Sequence, residues 1–173
     1  MTLICDSHIM RCVVARAIAA FESIERPDIE AIERQSPREE LLGYISNWDW
    51  YRQHSWQDFA AELPTEQFDP FEFPSLPPTV YRYFTPGILA ATFGALAANQ
   101  PARAFWEEYW IFALVPLKSR IEAFRFEYLP HFSTAQKEAI AFGLVTFSHR
   151  QIARENYADA DLERAIAQVW SPA

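Results

Sequence analysis

The sequence predicts an all-α protein, a compact bundle of about seven helices in a single domain over residues 1–173, and three observations predict it. Only four glycines are present, Gly43, Gly87, Gly94 and Gly143, and the tight hairpins of β-rich folds need residues at positive φ. The twelve prolines stand as punctuation that cuts the chain into helix-length pieces. Between them, apolar residues recur every three or four positions.

The first helix is predicted over Ile9 to Ile24, where Ile9, Val13, Ala17, Ala20, Phe21 and Ile24 form one apolar face. A second begins at Ser36, with a capping hydroxyl, Pro37 at the first helical position and Glu39 placed to reach back to the cap. The aromatic-dense run Trp48 to Phe59 contains a further start, Ser55 followed three residues later by Asp58. Pro64 to Pro78 is proline-rich and acidic and reads as a long extended loop. Thr79 to Phe84 reads as a turn or two of helix, and Thr85-Pro86 restarts a helix through Ile88, Leu89, Phe93 and Leu96. For residues 109–128 two readings stay open: helix, favoured by the missing glycine, or a small hairpin built on Tyr109–Val115 and the alternating Phe124, Phe126 and Tyr128. Ser133 to Gln136 forms a capping box ahead of a helix with Ile140, Leu144 and Phe147, and Asp159 or Asp161 caps a last one with Leu162, Ile166, Val169 and Trp170.

The order of elements, from an early helix ending in Ala19-Ala20-Phe21 through Ser55-Trp56-Gln57-Asp58-Phe59 and Tyr81-Arg82-Tyr83-Phe84-Thr85-Pro86 to Phe132-Ser133-Thr134-Ala135-Gln136-Lys137-Glu138-Ala139-Ile140, resembles an uncharacterised bacterial domain-of-unknown-function family. That family comprises small, mostly helical cytoplasmic proteins, and the resemblance covers about residues 10–148. It implies a fold and carries over no catalytic residues. The acidic loop at 64–78 is longer here than the pattern leads one to expect.

Charge narrows the function classes. Fifteen Lys and Arg against 23 Asp and Glu leave a net charge of -8, which repels nucleic acid backbones and anionic membranes and favours a basic partner. Residues 1–100 hold 14 acids and 7 bases, whereas residues 101–173 hold 9 and 8. The arginines are scattered in pairs, which speaks further against nucleic acid. No window approaches the ~18 apolar residues that span a bilayer, and the N-terminus lacks the charged and apolar regions of a signal peptide, so a cytoplasmic location is expected.

The strongest local field is Asp58 to Glu72, which contains Asp58, Glu62, Glu66, Asp69 and Glu72 and no Lys or Arg. Trp56, Phe59, Phe68, Phe71 and Phe73 are interleaved with these acids. Two readings follow: the aromatics pin the loop to the core and the acids are solvated, or the segment is a docking surface for a basic protein. On the second reading the partner-binding residues are Trp56, Asp58, Glu62, Glu66, Asp69, Phe71 and Glu72.

Catalytic constellations are weaker. Cys5, His8 and Cys12 have a metal clip's spacing but no fourth ligand nearby. His54, Ser55 and Asp58 fail as a triad, because adjacent His54 and Ser55 cannot easily face one another. His131, Ser133 and His149 sit at helix ends, and Glu107, Glu108, Glu122 and Glu127 lack the Glu-x-x-His pairs of di-iron bundles. The reading is therefore a cytoplasmic binding protein without cofactor or metal, monomer or homodimer, that neutralises a basic partner, most concretely an immunity protein against a bacterial toxin. The alternatives are a small helical-bundle enzyme with a carboxylate-based site, with or without metal, and a homo-oligomeric adaptor.

Overall fold

The computed structural model describes residues 3–61, 69–70, 72–100 and 109–171, and among these residues every regular element is helical. Nine α-helices occur among them: α1 (Leu3–Phe21), α2 (Ile29–Gln35), α3 (Arg38–Tyr44), α4 (Trp48–Gln53), α5 (Trp56–Ala61), α6 (Pro78–Ala97), α7 (Ile121–Glu127), α8 (Thr134–Glu155) and α9 (Ala160–Ala165), the last continuing as a π-turn over Ile166–Trp170. Short 3₁₀ turns at Phe73–Ser75, Phe112–Leu114, Lys118–Arg120 and Leu129–His131 join them. No helix among the described residues is long and apolar enough to cross a membrane.

Helix α6 is the centre. Its sequence is apolar nearly all round, and such a helix has to be covered on every side. Accordingly, α1 and α5 pack along it, and α8 packs on α1. The face that α1 contributes is Met10, Val13, Ala17 and Phe21, all buried, whereas Ile9 is exposed. Pro86 sits inside α6, which is a single helix where the sequence suggested a turn and a restart. An interior proline costs about 3 kcal/mol. Burial of Tyr81, Phe84, Ile88 and Phe93 from both sides of the interruption outweighs that cost. The hydroxyl of Thr85 donates to the Tyr81 carbonyl at 2.8 Å.

Several local expectations are met in atomic detail. Ser133 accepts from the Gln136 amide at 3.2 Å, and the Gln136 side chain accepts from the Ser133 amide at 3.1 Å. Gln136 also accepts from Arg82 on α6 at 3.1 Å, so the cap fastens α8 to the central helix. Ser133→Ala should therefore lower stability by about 1 kcal/mol, read as a shift in the urea midpoint with unchanged slope. A loss below a few tenths would show that the cap is idle. Asp159, and not Asp161, caps α9, accepting from the Asp161 and Leu162 amides at 2.9 and 3.0 Å.

Other expectations are corrected. Ser36 is not a helix start: its amide donates to the Ile32 carbonyl, which makes it the C-cap of α2, and Pro37 precedes α3 without a side-chain cap. Helix α2 itself was hidden behind Pro27, although Asp28 caps it by accepting from the Ala31 amide at 2.9 Å. The aromatic run Trp48 to Phe59 is two short helices meeting at His54 and Ser55. The hairpin option for residues 109–128 is overturned within the described residues. Residues 121–127 are helical, so Phe124 and Tyr128 stand four apart and stack with centroids 4.7 Å apart and planes 2° from parallel. Phe126, which a strand would place beside them, is 79% exposed.

Three buried aromatics tie the irregular chain to this frame. Tyr81 donates its hydroxyl to the Ala113 carbonyl at 3.1 Å, and the Trp170 indole N–H donates to the Leu114 carbonyl at 2.8 Å. The Tyr128 hydroxyl lies 2.8 and 3.0 Å from the carbonyls of Pro74 and Leu76. Loop carbonyls without helical partners need such donors when buried.

Candidate functional site

The sequence-derived surface divides into structural and exposed members. Ser55 and Asp58 form a reciprocal cap: Asp58 Oδ2 accepts from the Ser55 amide and hydroxyl, each at 2.7 Å, while Ser55 Oγ accepts from the Asp58 amide at 3.2 Å. The Ser55 backbone hydrogen bond, helped by its hydroxyl, holds the Asp58 carboxyl below its ordinary pKa. Asp58 keeps its charge at the surface even so. His54 stacks on Trp50 with centroids 4.3 Å apart, and its Nδ1 lies 2.9 Å from the Trp50 carbonyl. Ser55 and His54 are thus committed to different partners, as the rejection of a triad requires.

Trp56, placed among the partner-binding residues, is 7% exposed and belongs to the core. Its helix lies so closely against α6 that the Trp56 carbonyl faces Gly87, and the buried indole offers little surface to a partner. Phe59 and Phe73 are fully buried as well, so these three aromatics pin the chain to the core. Glu72 is a tether: its carboxylate accepts from the Ser46 amide at 3.1 Å and the Ser46 hydroxyl at 2.8 Å. Its charge, after the larger effect of burial, helps to push the Tyr51 phenol well above ten. Asp69 is exposed. Glu62, Glu66, Phe68 and Phe71 lie outside the described residues, as do Glu107 and Glu108.

Among the described residues, no group of three or more His, Cys, Asp and Glu side chains is placed to hold a metal ion. Glu122 is exposed and pairs with Arg125 at 3.4 Å. His8 Nε2 lies 3.8 Å from Cys12 Sγ, with no further ligand beside them among the described residues. His131 and His149 are exposed.

What the sequence did not reveal is a cleft of about 390 Å³ assembled from four separate segments. Its apolar wall is Tyr109, Phe112, Val115, Leu117, Phe124 and Tyr128. Pro70 and Pro74, from the proline-rich acidic segment, also line the cleft. Glu127, Asp159, Asp161 and Arg120 also line it. Tyr109 is 48% and Leu117 66% exposed, so part of the wall faces solvent. The Phe124–Tyr128 stack and the bond from Tyr128 to Pro74 and Leu76 tie this segment to the apolar wall. Burial, aided by the neighbouring Glu127 charge, pushes the Tyr128 phenol up to about 12, so this hydroxyl remains a donor at neutral pH. The volume falls in the range of ligand-binding cavities, which are mostly apolar with a few placed polar groups.

No family model, no curated protein and no solved structure matches this chain.

Proposed function

We propose that the protein binds and neutralises a basic protein partner in the cytoplasm, most concretely as an immunity protein against a bacterial toxin. The observation that supports the reading best is the cleft: an apolar wall partly open to solvent, rimmed by carboxylates, with Pro70 of the acid-rich segment 58–72 forming part of its lining. Charge and apolar surface side by side suit an interface in which electrostatics guides the encounter and desolvation of an apolar centre holds it. In this reading Asp58, Glu62, Glu66 and Asp69 steer the partner, while Trp56 and Glu72 stabilise the chain that carries them.

The test is a growth assay. The reading frame beside this gene is expressed in a bacterium with and without this protein, and relief of toxicity on co-expression is the expected result. A harmless neighbour, or toxicity left unchanged, removes the immunity reading. With a binding partner in hand, reversing Glu62, Glu66 and Asp69 to lysine should slow association about tenfold or more at low salt and flatten its dependence on ionic strength. An association rate that does not move would take the acidic segment out of the mechanism.

A further inference from the structure

The cleft itself points to a more specific ligand chemistry. Among the described residues, the exposed aromatic side chains are Tyr109, Phe126 and Tyr157. The first is in the wall, and the other two lie within two residues in sequence of Phe124, Glu127 and Asp159, which also line the cleft. Within the lining itself, Tyr109 and Leu117 leave apolar wall open to solvent, which marks a surface meant to be covered.

The charges say by what. Asp161 is paired with Arg164, and Arg120 supplies one positive charge to the lining. Lys118 is exposed and outside the lining. Of the three lining carboxylates, those of Glu127 and Asp159 are then balanced by a single lining guanidinium, so one added cation brings the group to neutrality. Asp159 engages the two helix amides through Oδ1, and its Oδ2 makes no hydrogen bond among the described residues. Glu127 makes none either. An apolar wall beside two such carboxylates matches a side chain with an aliphatic stem and a cationic head, which lays the stem on apolar surface and keeps the head among polar groups.

We propose that the cleft receives one arginine side chain carried on an apolar segment of the basic partner, with its stem against Tyr109, Phe112 and Leu117 and its guanidinium between Glu127 and Asp159. This rests on the partner-binding reading for the source of the arginine. The contact would place a single buried cationic anchor at the centre of the interface, the arrangement in which arginine contributes most.

The experiment uses the full chain and two short probes, acetyl-Leu-Arg-Leu-amide and its citrulline analogue, which keeps the shape of arginine and lacks its charge. Binding is followed by NMR shifts of Tyr109, Leu117 and Tyr128. The arginine peptide should produce saturable shifts there and bind about fivefold or more tightly than the citrulline peptide. In the double variant Glu127→Gln, Asp159→Asn this preference should fall within about twofold, and asparagine preserves the α9 cap. Absence of saturable shifts at these residues, equal binding of the two peptides, or an arginine preference that survives the double variant would each overturn the proposal. Growth rescue without arginine-peptide binding overturns the cleft assignment and leaves the immunity reading standing. Charge-dependent peptide binding without rescue supports the cleft and removes the immunity reading instead.

Discussion

Trp170→Ala is expected to destabilise the protein by about 3–5 kcal/mol and to lower Tm by about 10 °C or more. The indole is fully buried and meets Phe124 and Phe132 edge-on, at centroid distances of 5.5 and 5.4 Å. Truncation therefore opens a cavity between α7, α8 and the C-terminal π-turn. It also removes the indole N–H from the Leu114 carbonyl, which lies in an irregular segment without a helical partner. Trp170→Phe separates the two effects, since it keeps most of the ring and loses only the donor, at a cost of about 1–3 kcal/mol for the unsatisfied carbonyl plus a smaller packing loss. Thermal and urea unfolding of both variants provide the check. If alanine costs less than about 1 kcal/mol, Trp170 does not occupy the core position described. Because Leu114 adjoins Val115 in the cleft wall, the alanine variant should also weaken binding there.

Gly87→Val should rank with it, at about 3 kcal/mol or more. A Cβ at Gly87 would lie 2.8 Å from the Trp56 carbonyl oxygen and 3.1 and 3.2 Å from Phe59 side-chain atoms. The obstacle is backbone, which cannot turn aside as a side-chain tip can. The glycine is there because α5 crosses α6 at this point without room for a methyl group. Alanine gains about 1 kcal/mol of helix propensity and still comes out destabilised, by about 1–2 kcal/mol. Two other glycines serve as controls with different expected outcomes. At Gly94 nothing lies within 4 Å of a built Cβ, so Gly94→Ala should stabilise by about 0.5–1 kcal/mol. At Gly143 the nearest atom is Leu89 Cδ2 at 2.9 Å, the end of a flexible side chain, so alanine should be close to neutral. A Gly87→Ala variant as stable as Gly94→Ala would contradict the α5–α6 crossing.

Much of the local structure was legible because it depends on residues a few positions apart. The caps at Ser55–Asp58 and Ser133–Gln136 close within three residues and were read from the sequence, which for the last helix narrowed the cap to Asp159 or Asp161. The all-helical fold followed in the same way from apolar spacing and scarce glycine. Where local signals competed, the reading failed. Ser36 has the composition of a helix start and serves as a helix end, because α2 had already engaged its amide. Pro86 has the look of a break, and burial on both sides of α6 overrode it.

The site was legible in its charge and not in its shape. Acids alternating with aromatics over 56–73 left two readings, aromatics that pin the chain to the core or a docking surface; Trp56, Phe59 and Phe73 follow the first, and Glu72 is bound to Ser46. Composition records which groups are near in sequence and says nothing of which side of the chain is covered. By itself the sequence determined the helical class, the caps at Ser55–Asp58 and Ser133–Gln136 and an acidic field of five carboxylates without a base between 58 and 72. Only the tertiary structure decided that Pro70, Pro74 and Ser75 meet Tyr109, Phe112, Val115, Leu117, Arg120, Phe124, Tyr128 and Asp159 around one cleft, since these segments are tied by buried hydrogen bonds from Tyr128, Tyr81 and Trp170 to carbonyls more than 30 residues away, contacts that no local pattern encodes.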